Sequence, residues 1–420
     1  MVRRHWQVVC GRLWSARARR AGLVGLTSVS VGLFAACRAG GVPISGGPPT
    51  ASGIASRTTS QPQPSPADLA QGQRVFRFDT FGDEVFWTDT LRIHEVIERA
   101  VDPTTALSVG LKVDAGVLPA GILQQVDLKS PATTVALLKM NAVVGVQATV
   151  DASNHITRVG ITCALCHSTV DNSVAPGIGR RLDGWANRDI NPGAILALSP
   201  ALQDPKIQAV LKSWGPGKYD ARWNRDGKNA PTVIPPAYGL AGVNLCCWTG
   251  DGSLPYWNGY VAVTQMHGRG IFHDPRIGVD VRQTPDLVNP TLPALHQYQL
   301  SLEAPRAPAG SFDAAAARRG EQVFNGQGRC ATCHAPPTFT EAGFEIHPPA
   351  HTGMDPTVAE RAPTKGYRTS PLRGLWQHPP YFHDGSARTL ADVVAHYNRV
   401  RHLNLSEPQQ RDLVEYLKSL

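Results

Sequence analysis

The sequence is poor in charge and has no long apolar run. Only 18% of its 420 residues are charged and 42% are hydrophobic, a balance that excludes a disordered polyelectrolyte. No apolar run reaches the roughly 18 residues that a membrane-spanning helix needs. Glycine and proline are abundant, at 40 and 34 residues, which predicts that much of the fold is loop. We therefore expect a globular, water-soluble protein.

The net charge of +8 arises mainly at the N-terminus. Six arginines and no acidic residue precede Cys37, and the remaining chain has a net charge of +2, which gives no support for a nucleic-acid partner. An apolar segment over 21–36 follows the arginines, so residues 1–36 are expected to be a secretory signal peptide that directs the protein to the periplasm. Residues 33–37 resemble a bacterial lipobox, which makes Cys37 a candidate for lipidation; plain cleavage and an uncleaved anchor are the alternatives. Residues 37–70, rich in Gly, Pro, Ser and Thr, predict a flexible tether, and membrane contact is expected only through the lipid.

Four of the eight cysteines fall in two copies of the pattern Cys-X-X-Cys-His, which are Cys163, Cys166, His167 and Cys330, Cys333, His334. This spacing lets two thiols reach the two vinyl groups of one porphyrin while the next residue offers an imidazole to the iron. A zinc site or a redox dithiol is the alternative, but a zinc site would join distant segments and neither pair lies in a thioredoxin-like pattern. The sequence thus predicts two covalently bound haem c groups with His167 and His334 as iron ligands. Cys246 and Cys247 are adjacent, which fits a strained vicinal disulfide or two buried thiols, and we favour the thiols.

Helix signals lie on both sides of the second haem motif. Ser311 is a candidate cap for a helix before that motif, and Ser406 with Gln409 forms a capping box at the C-terminal end of the chain. Residues 309–420 are therefore predicted to form a cytochrome c domain. Alternating apolar residues over 144–161 predict a hairpin in an N-terminal haem domain over 71–308. The expected fold class is mostly α, with two cytochrome c-like haem domains, long loops and a small β-hairpin in the first.

Three further segments resemble the bacterial di-haem cytochrome c peroxidase superfamily, which includes the MauG enzymes. They are Thr369–Ser386, with its Pro-Tyr-Phe-His-Asp-Gly-Ser ending, and the pair of Asn229-Ala-Pro-Thr-Val and Trp248-Thr-Gly-Asp-Gly. The resemblance implies a first haem that reacts with peroxide or oxygen and a second haem that exchanges electrons with a redox partner protein or small donor. It also implies that Trp248 relays electrons between them and that Asn229 binds a calcium ion.

The sequence departs from this superfamily near the first haem. Residues 219–228 contain no histidine to ligate the first iron, and no acidic residue lies between Asp251 and Asp274, where the peroxidases place a catalytic glutamate. General acid–base catalysis needs a proton carrier near the reacting oxygen. Gln265 and His267 are the candidates for this role, with Asn258 as a further polar residue in the same stretch.

Tyr397 lies where the peroxidases carry the methionine ligand of the second iron and where the MauG enzymes carry a tyrosine. Thr389 and Asp392 form a variant capping box, and Tyr397 then falls on the apolar face of the following helix. We expect Tyr397 to ligate the second iron. The alternatives are that Tyr397 only packs, with its hydroxyl bonded to a propionate or a carbonyl, and that Met354 is the ligand. The sequence as a whole predicts a haem-dependent oxidoreductase of the peroxidase or MauG type. A di-haem electron carrier and a haem oxygenase of the rubber-cleaving type are the alternatives.

Overall fold

The computed structural model describes residues 64–420, of which Ser65–Leu420 form one compact unit. The predicted signal peptide and most of the predicted tether lie outside the described residues. Residues 66–70, which the composition assigns to the tether, belong to a helix instead, because Ser65 and Asp68 form a capping box at its start. Within the described part of the chain, no helix has both the length and the apolar character needed to cross a membrane.

Helices carry most of the regular structure. In chain order they are α1 (Pro66–Phe78), α2 (Ile93–Ala100), α3 (Pro103–Ser108), α4 (Pro131–Lys139), α5 (Ala164–His167), α6 (Pro192–Ala197), α7 (Pro205–Ser213), α8 (Trp223–Asp226), α9 (Leu254–Thr264), α10 (Leu292–Ser301), α11 (Ala314–Asn325), α12 (Pro349–Thr352), α13 (Thr357–Glu360), α14 (Leu390–Val400) and α15 (Glu407–Ser419). A π-helical segment, Val85–Thr90, and several short 3₁₀ turns lie between them.

The strands are short and pair two by two. They are β1 (Val113–Asp114), β2 (Val146–Val150), β3 (Ile156–Ile161), β4 (Ser168–Val170), β5 (Ile178–Gly179), β6 (Arg181–Asp183), β7 (Lys218–Tyr219), β8 (Thr232–Val233), β9 (Ile271–Asp274), β10 (Val279–Arg282), β11 (Ile346–His347) and β12 (Tyr367–Arg368). The pairs are β1 with β5 in parallel, and β2 with β3, β4 with β6, β7 with β8, β9 with β10 and β11 with β12 antiparallel. The β2–β3 pair leads directly into the first haem motif.

The first hydrophobic core forms around α1, α9 and α10. Phe76 and Leu295 are fully buried in it, and Cys163 of the first haem motif packs against its edge. The backbones of α1 and α10 approach closely at Gly72, where a Cβ atom would lie 2.1 Å from the Ala294 carbonyl oxygen. Only glycine fits this crossing.

The second core forms around α11, α14 and α15. A Cβ atom at Gly320 would lie 2.0 Å from the Asp412 carbonyl oxygen, so α11 and α15 cross as closely as the helices of the first core. Helix α11 begins with Asp313 as its cap, whose carboxylate accepts the Ala315 and Ala316 N–H groups, and the expectation that Ser311 caps it is wrong. Asp313 lies directly before the first helical residue, where its carboxylate reaches the free N–H groups of the first turn.

The capping boxes predicted from the sequence are present at the starts of the last two helices. Thr389 and Asp392 bond reciprocally at the start of α14, and the Ser406 backbone N–H donates to Gln409 at 2.9 Å at the start of α15. Cys330 packs against the second core, which contains Phe324 and Leu413. Each haem motif therefore lies at the edge of its own core.

Candidate haem sites

The first attachment motif is built on a single helical turn. Cys163 precedes helix α5 as its cap residue, and Cys166 and His167 lie within that helix, so one turn of backbone sets all three side chains. Both thiols are free and half-buried. Burial raises the pKa of each to about 12, so both remain protonated thiols at neutral pH.

His167 is held in the tautomer that a metal requires. Its Nδ1 lies 3.1 Å from the Pro235 carbonyl oxygen. A carbonyl only accepts hydrogen bonds, so Nδ1 carries the proton and the lone pair of Nε2 is left for a metal. Burial lowers the pKa of His167 to about 4, which keeps the imidazole neutral, as a ligand must be.

The second attachment motif repeats this arrangement on a different backbone. Cys330–Thr332 form a 3₁₀ turn, and Cys330 and Cys333 are both free thiols. The His334 Nδ1 lies 2.9 Å from the Phe339 carbonyl oxygen, so here too Nε2 is the nitrogen left for a metal. Burial lowers the pKa of His334, against smaller contributions from the Phe339 and Ser370 carbonyls.

Arg188 is a buried cation without a carboxylate partner in residues 64–420. Its Nη2 donates to the His378 carbonyl at 2.9 Å, while Nε and Nη1 are buried with no hydrogen-bond partner among the described residues. Burial lowers its pKa to about 10, and its charge in turn lowers the pKa of His167. Two guanidinium nitrogens with unpaired N–H groups beside His167 fit an anion, and a haem propionate is an anion of this kind. The donor set at the first motif therefore fits a covalently bound haem.

The described residues contain one grouping of three His, Cys, Asp or Glu side chains close enough to hold a metal ion. It consists of Cys333, Glu341 and His347, and the His347 Nε2 lies 2.6 Å from Glu341 Oε1. Cys333 belongs to the second attachment motif, so this cluster belongs to the surroundings of that motif.

Trp248 connects segments from both halves of the chain. Its indole Nε1 donates to the Val233 carbonyl in β8 at 2.8 Å, and the Val233 N–H donates to the His383 carbonyl at 2.7 Å. The Trp248 carbonyl accepts the N–H of Arg368 in β12 at 3.1 Å. The three segments that carry the family resemblance therefore meet at this indole, although they are far apart in the sequence.

Gln265 lies in a hydrogen-bond network that includes a residue which sequence reasoning missed. The Tyr219 hydroxyl donates to Gln265 Oε1 at 2.9 Å, and Gln265 Nε2 donates to Asn224 Oδ1 at 3.3 Å and Thr264 Oγ1 at 2.9 Å. Burial raises the pKa of Tyr219, and the nearby Cys166 thiol raises it further. Tyr219 and Gln265 thus form a proton-bearing pair beside the first attachment motif. No sequence pattern marks Tyr219, apart from the absence of a histidine in the segment that it begins.

His267 occupies a different environment from Gln265. Its ring stacks on Phe86 with centroids 3.7 Å apart, and its backbone has a φ of 66°. Burial lowers its pKa to about 4, so the ring is neutral at pH 7 and does not donate a proton as an imidazolium. Asn258, the third polar candidate in this stretch, pairs with Gln299 at 2.7 Å.

Tyr397 lies beside the second attachment motif. Burial raises its pKa to about 12, and the Cys333 and Cys330 thiols add smaller contributions. Its ring packs edge-on against Phe382, with centroids 6.0 Å apart. Met354, the alternative ligand, is half-buried in the loop after α12.

The geometry gives no support to Asn229 as a calcium ligand. Its Oδ1 accepts the Trp214 indole N–H at 2.9 Å, and its Nδ2 donates to Ser213 Oγ at 3.0 Å. The next residue, Ala230, is bonded to an ion cluster in which Arg361 pairs with Asp220 and Asp226. Calcium therefore stays a prediction at this segment.

Comparisons with known proteins find similarities over parts of the chain. The family described as "RoxA-like, cytochrome c-like" matches residues 366–403. The methylamine utilization protein MauG of Methylorubrum extorquens is 30% identical in an alignment that covers 30% of this chain and 42% of that protein. The cytochrome-c peroxidase IdrP1 of Denitromonas iodatirespirans is 26% identical over 30% of this chain and 48% of its own length. A solved structure of hydrazine synthase from Kuenenia stuttgartiensis has a TM-score of 0.32 at 22% identity, covering 46% of this chain and 73% of that one.

The Cys-X-X-Cys-His segments, with each histidine fixed by a backbone carbonyl, define a protein that binds haem c. The sequence relatives then narrow this class: the chain is similar over part of its length to MauG proteins and cytochrome-c peroxidases, and over residues 366–403 to a RoxA-like, cytochrome c-like family. It spans less than half the length of the curated relatives named above.

Proposed function

We propose that the protein is an exported di-haem c-type cytochrome that acts as an oxidoreductase of the peroxidase or MauG type. The observation that carries this proposal is the duplication of one arrangement, in which two free thiols are followed by a histidine whose Nδ1 is bonded to a carbonyl. Two such sites in one compact unit suit a protein that receives electrons at one centre and uses them at the other.

Each half of the chain would hold one haem. Cys163 and Cys166 would attach the first and His167 would ligate its iron, with Arg188 pairing with a propionate. Cys330, Cys333 and His334 would hold the second. A c-type haem supplies electron transfer at its iron and, where one axial position is open, a place for peroxide or oxygen.

The protein's own side chains would carry electrons and protons at these centres. Trp248 would relay electrons, because an oxidisable indole held by Val233 and Arg368 links both halves. Tyr219 and Gln265 would hold a proton beside the first site, since the phenol O–H already points to the amide oxygen. Tyr397 would ligate the second iron through its hydroxyl oxygen, and an anionic oxygen ligand favours the ferric state.

The surroundings of the protein also belong to this proposal. The arginine-rich start of the chain and Cys37 suggest a periplasmic protein with a lipid anchor. Its electron donor would be a redox partner protein or a small molecule, and its oxidant peroxide or oxygen. Calcium at Asn229 is not included, because both groups of that amide have other partners.

The test starts from protein produced with a cytochrome c maturation system. We expect two covalent haems per chain by pyridine haemochrome assay and intact mass. The double variant Cys163→Ala, Cys166→Ala should retain one haem, whereas the control Cys246→Ser should retain two. One zinc ion per chain with no Soret band would contradict the proposal.

A second measurement separates an enzyme from an electron carrier. We expect carbon monoxide, cyanide or peroxide to change the spectrum of one haem only, because a peroxidase needs one open axial position. No change at either haem would instead favour the di-haem electron carrier.

A further inference from the structure

A pair of adjacent cysteines lies directly before the tryptophan that joins the two halves. Cys246 and Cys247 are both free and half-buried, and neither belongs to a haem attachment motif. The Cys247 thiol donates to the Cys246 sulfur with 3.5 Å between the two Sγ atoms. This separation is that of reacting atoms placed for attack.

Arg368 provides positive charge at this pair. Its Nε donates to the Cys247 carbonyl, and its Nη1 is buried without a hydrogen-bond partner among the described residues. The hydrogen bond donated by the Cys247 thiol, followed by the charge of Arg368, lowers the pKa of Cys246 to about 7, against the effect of burial. Burial and the same hydrogen bond raise the pKa of Cys247 well above its ordinary value.

The two thiols therefore have different roles. The Cys247 S–H group donates to the Cys246 sulfur, so Cys246 is the sulfur whose thiolate the pair stabilises. Asp251, the acidic residue that opposes this ionisation, is itself paired with Arg222. A thiolate is the nucleophilic form of cysteine, so Cys246 is the attacking sulfur and Cys247 the resolving one.

Backbone geometry makes a disulfide within this pair easy to reverse. Consecutive Cα atoms are about 3.8 Å apart, whereas the Cα atoms of ordinary disulfides are about 4.4 to 6.8 Å apart. Cys247 also has a φ of 60°, a left-handed conformation that surrounding structure must enforce in a residue other than glycine. Disulfides under strain have more oxidising potentials and are reduced more readily.

We propose that Cys246 and Cys247 are a redox-active dithiol that low-molecular-weight disulfides close reversibly to a vicinal disulfide. The Cys246 thiolate attacks one sulfur of the small disulfide, whose S–S bond breaks and releases one thiolate. Cys247 then attacks the Cys246 sulfur, and its proton passes to the second leaving thiolate. The pair loses two electrons, and the small disulfide becomes one thiolate and one thiol, so atoms and charge balance.

A change in the redox state of Cys246 and Cys247 would directly affect Trp248, the proposed relay. Arg368 contacts both residues, since its backbone N–H donates to the Trp248 carbonyl and its Nε to that of Cys247. Ring closure removes the thiolate from beside the guanidinium. The couple itself does not depend on the proposed peroxidase function, because its oxidant is a disulfide.

The experiment uses the haem-loaded chain equilibrated in glutathione buffers of increasing oxidised fraction, quenched with acid and alkylated. Trypsin releases the fragment 229–269, whose cysteines are Cys246 and Cys247 alone. We expect this fragment to lose the mass of two hydrogen atoms and both alkylation sites as the buffer becomes oxidising, and to regain them in dithiothreitol. A fragment that keeps two reactive thiols in fully oxidised glutathione would overturn the proposal.

Variants assign the two roles. Cys247→Ser cannot close the ring and should accumulate a glutathione mixed disulfide at Cys246, whereas a stable mixed disulfide in the unsubstituted protein would refute ring closure. Arg368→Met should slow alkylation of Cys246 at pH 7 about tenfold, because its thiolate fraction falls, and Arg368→Lys should restore much of the rate. Equal rates in all three proteins would refute the role of Arg368. If the Arg368 variants do not fold, binding of one trivalent arsenical per unsubstituted chain tests the dithiol directly, and no binding would count against it.

Discussion

Arg361 forms an ion cluster that ties helix α13 of the second half to the segment before β8 of the first. Its Nη1 and Nη2 donate to Asp220 at 3.0 and 2.9 Å, and its Nε and Nη2 donate to Asp226 at 2.7 and 2.9 Å. The side chains of Arg361 and Asp220 are 3% and 2% exposed, so water does not screen this pair. We predict that Arg361→Met destabilises the protein more than removal of any exposed arginine.

The size of the effect follows from burial. Removing one partner of a buried ion pair leaves the other charge uncompensated, which costs about 3 to 5 kcal/mol. Asp220 also accepts the Arg222 and Ala230 N–H groups, which remain in the variant, so we expect the lower end of this range. Asp220→Asn combined with Arg361→Met should cost about 2 kcal/mol less than the sum of the two single changes.

The assay is urea unfolding of the haem-loaded proteins, followed by circular dichroism, with midpoints compared at equal slopes. Arg319→Met is the matched control, because Arg319 also makes two bonds to one carboxylate, that of Asp412, but its side chain is 58% exposed. The control should leave the midpoint nearly unchanged. An Arg361→Met variant within about 1 kcal/mol of the parent would show that the cluster does not hold the two halves together.

Three further predictions concern the relay, the second iron and pH. Trp248→Phe should leave both haems bound but slow electron transfer between them at least about tenfold, about 1.4 kcal/mol of barrier. The control Trp376→Phe also loses a hydrogen bond from an indole to a carbonyl, but it should not slow electron transfer between the haems. Equal transfer rates in the parent and in Trp248→Phe would show that Trp248 is not part of the electron pathway. Tyr397→Phe should change the ferric spectrum of the second haem from six-coordinate to five-coordinate or water-bound, and an unchanged spectrum would make Met354 the ligand to test. Burial raises the pKa of Asp83 to about 9. The folded state therefore holds a proton that the unfolded state loses near pH 4. The stability that Asp83 contributes falls as the pH rises between about 4 and 9. Asp83→Asn should therefore gain stability over the parent as pH rises through this window, and parallel stability curves would refute that assignment.

The vicinal dithiol and Trp248, the proposed relay, lie in one segment and are tested by separate measurements. Oxidation of Cys246 and Cys247 is read from the mass of a fragment, whereas the role of Trp248 is read from electron-transfer rates. If ring closure also changes the rate through Trp248, the contacts of Arg368 with both residues provide the physical connection.

Features that depend on neighbouring residues can be predicted from the sequence alone. The Cys-X-X-Cys-His pattern is covalent chemistry at fixed spacing, and the capping boxes at Thr389 and Ser406 involve residues three positions apart. Local rules suffice for such features. They fail where two local solutions compete, as when Asp313, and not Ser311, caps α11, and where the tether was expected to reach residue 70 although Ser65 caps a helix from Pro66.

Contacts between groups that are distant in the sequence become visible only in the folded chain. The hydrogen bond between Arg188 and His378 joins residues that are 190 positions apart in the sequence. The hydrogen bonds between Arg361 and Asp220 and between Tyr219 and Gln265 join residues 141 and 46 positions apart. No local pattern marks these residues, because their partners are selected by how the two cores pack. The commitment of the Asn229 amide to Trp214 and Ser213 is also a property of packing. The attachment chemistry is therefore encoded locally, while the charges, protons and cation sites around it arise from contacts that form only when the whole chain has folded.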